Sequence, residues 1–176
     1  ASELRSVVAD ENRYVAAAQT FRDKYFAVPG DFTSATKFWG RLSATADCVT
    51  RSTPASAVTT PGACDGDGSG LLNNAPAASS SGENYQFWRQ LALAGLLNSE
   101  YTGIAGSNNY AHHLVGTNTP ASRVSSGGWA VQYIGPYTDA NLFQLDYGHA
   151  FLFGGSVDNW IPNASILQPR EVWQID

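Results

Sequence analysis

Apolar residues near the start of the chain recur at Leu4, Val7, Val8, Tyr14, Val15, Ala18, Phe21 and Tyr25. That spacing keeps returning to one stripe of a 3.6-residue helix. The other faces carry Glu3, Arg5, Asp10, Glu11, Arg13, Arg22, Asp23 and Lys24, and Asp10 stands one turn from Arg13, close enough to pair. No Gly or Pro interrupts before Pro29-Gly30. The pattern predicts one long helix over 3–26, inside an N-terminal helical region of 1–28, with a length of roughly 35 Å. A spine longer than a small domain needs suggests a part built to dock or stack.

Pro29-Gly30 marks a turn, and Asp31 after it is a good N-cap for a short helix over 32–39. Phe26, Phe32, Phe38 and Trp39 crowd this turn, more as core anchors than as a ligand site. Between 41 and 82 the pattern vanishes: there is no aromatic residue, and Ala, Ser, Thr, Gly, Pro and Asn dominate. A loop of this length inside a compact domain suggests a functional or specially tethered segment. Helical periodicity returns with Tyr85, Trp88, Leu91, Ala92, Gly95 and Leu96 on one face, with Ser81 or Asn84 as cap. Gly95 marks either a close helix approach or a tolerated glycine near the helix end. From 121 to 155 the runs WAVQYIG, NLFQLDYG and HAFLFGG are strand-like, and WAVQYI alternates as a sheet with one covered face does. Their spacing predicts an antiparallel meander. SILQPREVWQID reads as a turn leading into a short helical segment. Helices followed by strands place the chain in the α+β class, and 176 residues suit one domain.

Composition narrows the function. The net charge is −5, six of the ten basic residues lie in the first 41 positions, and none lies between Val124 and Pro169. No basic cluster is available for phosphate, which argues against nucleic acid as a partner. No run is long enough for a membrane span and none looks like a signal peptide. Methionine is absent, so a processed or truncated piece is expected. Cys48 and Cys64 would close a loop of about seventeen residues, and a disulfide closing such a loop contributes on the order of 3 kcal/mol. The polar, Pro-containing interval favours that bridge and an oxidising compartment; two buried free thiols are the alternative.

Candidate chemistry is sparse. In DGDGSG, Asp65, Asp67 and Ser69 alternate as in the first half of an EF-hand-type loop, a calcium site. The match fails at Pro76, where the bidentate Glu belongs, and a Gly-Asp turn held by Asx hydrogen bonds is the competing reading. No other cofactor is expected. His112-His113 lacks the spacing of a metal motif and reads as an exposed polar loop, while His149 reads as structural or exposed. Asp139, Asp146 and Asp158 could supply a glycosidase pair, but spacing identifies none, and no strained nucleophile elbow is present. No enzyme activity is expected. Asn163-Ala164-Ser165 fits a glycosylation acceptor, and Trp129 and Trp160 with the tyrosines suit either core packing or a sugar-binding face.

FRDKYFAVPGDFTSATKFWG, then CDGDGSG, then ENYQFWRQLALAGLL, resembles the type IV pilin and type II secretion pseudopilin group. The narrower signature is Phe21, Lys24, Tyr25, Pro29, Gly30 and Asp31, and ILQPREVWQID is similar to the entry into that group's C-terminal segment. The likeness covers 3–100 and about 166–176. It implies a pilin-like fold, a long helix packed on an antiparallel sheet with a disulfide-pinned loop. It further implies a structural filament subunit whose helix contacts other subunits through Leu4, Val7, Val8, Tyr14, Val15, Phe21 and Tyr25. An upstream apolar half of that helix would anchor the precursor in the inner membrane. The finished subunit would sit in an extracellular filament or the periplasm, with a host or abiotic surface as a further partner. A secretion pseudopilin and a secreted glycan- or surface-binding module are the alternatives. Without the upstream half, Leu4 and Val7 are expected to lack some of their neighbours.

Overall fold

The computed structural model describes residues 2–42, 62–124, 126–137 and 144–168. The long helix is present as α1, Ser2–Tyr25. Its inward stripe is Leu4, Val7, Asp10, Tyr14, Ala17 and Phe21, all buried, at steps of three and four residues. Glu3 in the first turn and Arg22 and Lys24 in the last oppose the helix dipole favourably. Asp10 pairs with Arg13 at 3.2 Å, as their spacing suggested. Leu4 and Val7 do not lack cover. Val8 and Val15 lie beside the stripe and stay 37% and 38% exposed, and Tyr25 is half-buried.

Two shorter helices follow, α2 over Ala35–Trp39 and α3 over Glu83–Leu93. Asp31 does not cap α2; Ser34 holds that position without a side-chain bond. Around α3, Gly82 is the N-cap, and neither Ser81 nor Asn84 serves. Every residue from Glu83 to Leu91 is buried, so α3 is enclosed on all sides rather than along one stripe. It ends where Leu96 N–H donates to Leu91 O and Gly95 N–H donates to Ala92 O, both at 2.9 Å. This pairing of bonds needs a left-handed residue at Gly95, whose φ is +74°. A Cβ there would meet open space, so Gly95 terminates the helix and marks no close approach.

The strands are β1, Gly127–Tyr133, β2, Pro136–Tyr137, β3, Leu145–Asp146, and β4, His149–Gly155. β1 pairs antiparallel with β4, from Gly127 opposite Gly155 to Tyr133 opposite His149. β2 pairs with β3, with Pro136 opposite Asp146 and Tyr137 opposite Leu145. Both ladders keep one register, since opposed numbers always sum to 282. They form one long hairpin interrupted near Gly135 and Gly148, where the expected meander would have put three neighbouring strands. Nor is only one face of β1 covered: Gly127 to Val131 are buried on both sides.

The elements meet at Tyr14. Its ring lies edge-on to Trp88 of α3 at 5.0 Å and to Trp129 of β1 at 5.5 Å, with Phe151 of β4 at 6.1 Å. Aromatic side chains bury about 150–250 Å² each, so this knot supplies much of the core's apolar contact. A second knot of Phe21, Tyr25, Phe32 and Trp39 fixes the end of α1 against α2. Phe26 and Phe38 do not join the buried set; Phe26 is 92% exposed with φ +54°.

Candidate functional site

The turn after α1 is built by the residues that looked most like a signature. Gly30 adopts φ +91°, and a Cβ on it would sit 2.3 Å from the Glu83 carbonyl oxygen. Only glycine tolerates both constraints. Its N–H donates to Gln90 Oε1 at 2.7 Å, pinning the turn to α3. Gln90 Nε2 in turn donates to Cys64 O at 3.3 Å. Gly66 lies so close over Asp31 that a Cβ would fall 2.3 Å from the Asp31 Cα.

Asp31 is buried and faces the 65–73 loop. Its Oδ1 accepts Gly68 N–H at 2.6 Å and its Oδ2 accepts Gly70 N–H at 2.7 Å. Glu83 does the same from the first turn of α3, where the helix dipole favours an anion. Its Oε1 accepts Asp67 N–H at 2.9 Å and its Oε2 accepts Asn73 N–H at 2.8 Å. Asp67 completes the group: Oδ1 accepts Ser69 N–H at 2.8 Å and Oδ2 accepts an Asn73 amide hydrogen at 3.1 Å. Oxygens of Asp31, Asp67 and Glu83 lie within 4.8 Å of one another. The loop is also tied to β4, where His149 Nε2 accepts Leu72 N–H at 3.2 Å.

Only part of the sequence reading of this loop is assembled here. Asp67 joins the group, but Asp65 turns to Thr36, accepting its N–H at 2.8 Å and its hydroxyl at 2.9 Å. Ser69 Oγ is engaged with Leu71. The carboxylates that stand with Asp67 are Asp31 and Glu83, which sequence spacing did not reveal. Positions 31, 67 and 83 have no periodic relation, and the one signal was Asp directly after Pro-Gly.

Electrostatics distinguish the three. Burial, with the Asp31 carboxylate beside it, pushes Glu83 up to about 7 against the pull of its two backbone donors. Asp67 is exposed and held below the usual carboxylate range by Ser69 and its other donors. Three carboxyl groups this close can share one ion, a proton or a metal cation.

No family model, curated protein or solved structure matches this chain. The remaining candidate residues sit apart from the group. His113 is buried, not exposed: its Nδ1 lies 3.3 Å from Tyr85 Oη and 2.7 Å from Ala111 O, and burial lowers its pKa. His112 is half-buried. Asp146 is exposed, with Oδ1 accepting Gly148 N–H at 3.0 Å, and Asp158 is exposed; Asp139 lies outside the described residues. Trp129 is core, while Trp160 is exposed beside Tyr110. Asn163 and Ser165 are exposed. Cys64 is fully buried and is not a free thiol, and Cys48 lies outside the described residues, as does the 169–176 stretch expected to be helical.

Proposed function

We propose that this chain is the globular part of a structural subunit, major or minor, of a type IV pilus. The observation that carries the reading is what the signature residues do. Phe21 and Tyr25 close the aromatic knot at the end of α1. Pro29 is buried, Gly30 reaches α3, and Asp31 fastens the loop beyond. The signature is therefore a device for fixing a long helix rigidly to a head, which is what a filament subunit requires. Val8 and Val15, seven residues apart on the uncovered flank of α1, offer the apolar edge through which neighbouring subunits would pack. No helix among the described residues is long and apolar enough to cross a membrane; the anchoring segment the resemblance implies would lie upstream.

On this reading the subunit is held in the inner membrane before assembly and then enters an extracellular filament. A Cys48–Cys64 bridge would brace the loop in that oxidising setting, and calcium would be an optional ligand of Asp67 and the carboxylates beside it. A type II secretion pseudopilin would use the same architecture inside the periplasm. Filaments sheared from cells expressing the full-length protein should contain it, and Val8→Asp/Val15→Asp should fold but drop out of them. Consistent absence of the wild-type chain from filaments would sink the proposal.

A further inference from the structure

A second surface has nothing to do with α1. Tyr110 and Trp160 come from segments fifty residues apart and stand 43% and 41% exposed, with centroids 6.2 Å apart and planes at 70°. One ring makes a floor and the other a wall. Both are held from beneath. Tyr110 O accepts the hydroxyl of buried Tyr85 at 3.0 Å, and Trp160 O accepts His113 N–H at 3.3 Å. These bonds fix the main chain that carries the two rings, which removes part of the ordering cost of binding.

Its fringe is made of side-chain amides. The Asn108 amide donates to Asn159 Oδ1, Asn109 Nδ2 donates to Asn159 O, and Asn109 Oδ1 accepts Ala111 N–H. Asn159 is held at φ +67°, in the left-handed region that asparagine tolerates better than most residues. An amide has two donors and an acceptor with two lone pairs, so these three retain hydrogen-bonding capacity beyond the bonds they make. Within 106–113 and 157–160 there is no Lys or Arg, and Asp158 is the one carboxylate.

That combination selects its ligand by exclusion and by fit. Within those two segments an anion finds no Lys or Arg, and a cation finds one exposed carboxylate. An uncharged polyol finds two aromatic faces for its C–H surface and amides for its hydroxyls. We infer that Tyr110 and Trp160, fringed by Asn108, Asn109 and Asn159, form a binding site for an uncharged saccharide. No residue of α1 takes part, so the inference stands or falls separately from the filament reading.

The test is a titration of the isotopically labelled chain with neutral β-glucan, chitin and mannan oligosaccharides, with a sialylated oligosaccharide as an anionic control. The Trp160 indole N–H and the three Asn amide resonances should shift with at least one neutral sugar. Trp160→Ala and Tyr110→Ala should each weaken binding by about two- to tenfold, the range expected for one aromatic contact. Trp160→Phe should retain part of the affinity. Near-ultraviolet dichroism from buried Trp88 and Trp129 reports whether each variant is folded. The inference is overturned if no neutral sugar moves these resonances, if folded Trp160→Ala binds as well as wild type, or if only the anionic sugar binds.

Discussion

Glu83 makes the stability of this protein depend on pH in a direction opposite to that of most carboxylates. In the unfolded chain it titrates near 4.5, the ordinary value for a Glu carboxyl, and in the fold burial raises it to about 7. Between those values the folded state binds the proton more tightly than the unfolded state. Stability is therefore fully present below about pH 4.5 and is lost as pH rises through about 7. At 1.36 kcal/mol per pKa unit the loss amounts to about 3 kcal/mol. Glu83→Gln removes the titration. It also replaces one oxygen that accepts a loop N–H, a cost of about 1–3 kcal/mol that does not change with pH. The readout is therefore the slope: urea denaturation of both proteins at steps from pH 4.5 to 8, in chelator. The wild type should lose about 3 kcal/mol relative to Glu83→Gln across the window. A chelator is needed because a bound cation would hold the carboxylates ionised and reverse the sign. Parallel curves for the two proteins would refute the argument.

Other outcomes follow from particular positions. Gly30→Ala should destabilise by about 2–5 kcal/mol in thermal or urea unfolding, because strain and collision with the Glu83 backbone combine. Gly95→Ala, with similar φ and open space, should cost only about 1–2 kcal/mol. Phe26→Gly should raise the melting temperature slightly, by about 0.5–1 kcal/mol of stability, since it relieves a left-handed backbone and gives up almost no burial; a loss of stability would contradict the open position of that ring. If Cys48 and Cys64 are bridged, reductant should lower the denaturation midpoint by an amount equivalent to about 3 kcal/mol, and thiol titration of the unreduced, denatured chain should find no free sulfhydryl.

What was legible in the sequence was local. The stripe of α1 follows from a 3.6-residue period, and its burial at Leu4, Val7, Tyr14 and Phe21 agrees with it. Val8 and Val15 have the same composition but lie off the line where α3 and β1 meet the helix, a fact no single-helix pattern contains. Asp31 looks like an N-cap because its nearest helix is the only partner the sequence displays; its partners in the fold are about forty residues on. Glu83 was hidden for the same reason. Spacing predicts a meander where the strands pair as a hairpin, because it counts strands without saying which of them pair. His113 is buried where an exposed polar loop is expected, and of the two readings open for Trp160 the structure takes the exposed one, since polarity alone does not tell which loop lies beneath another.

The way the 65–73 loop is fastened has a consequence for how this surface can change. Asp31 and Glu83 hold it through the N–H groups of Asp67, Gly68, Gly70 and Asn73. Main-chain donors are common to every amino acid except proline, so the grip does not depend on which side chains the loop displays. Gly66 and Gly68 are fixed by close contacts and the Ser69 hydroxyl bonds the Leu71 main chain, but the Leu71 side chain is exposed and free to mutate. A lineage could redraw this patch residue by residue, evading recognition or acquiring a new specificity, while the anchorage beneath it stayed unaltered.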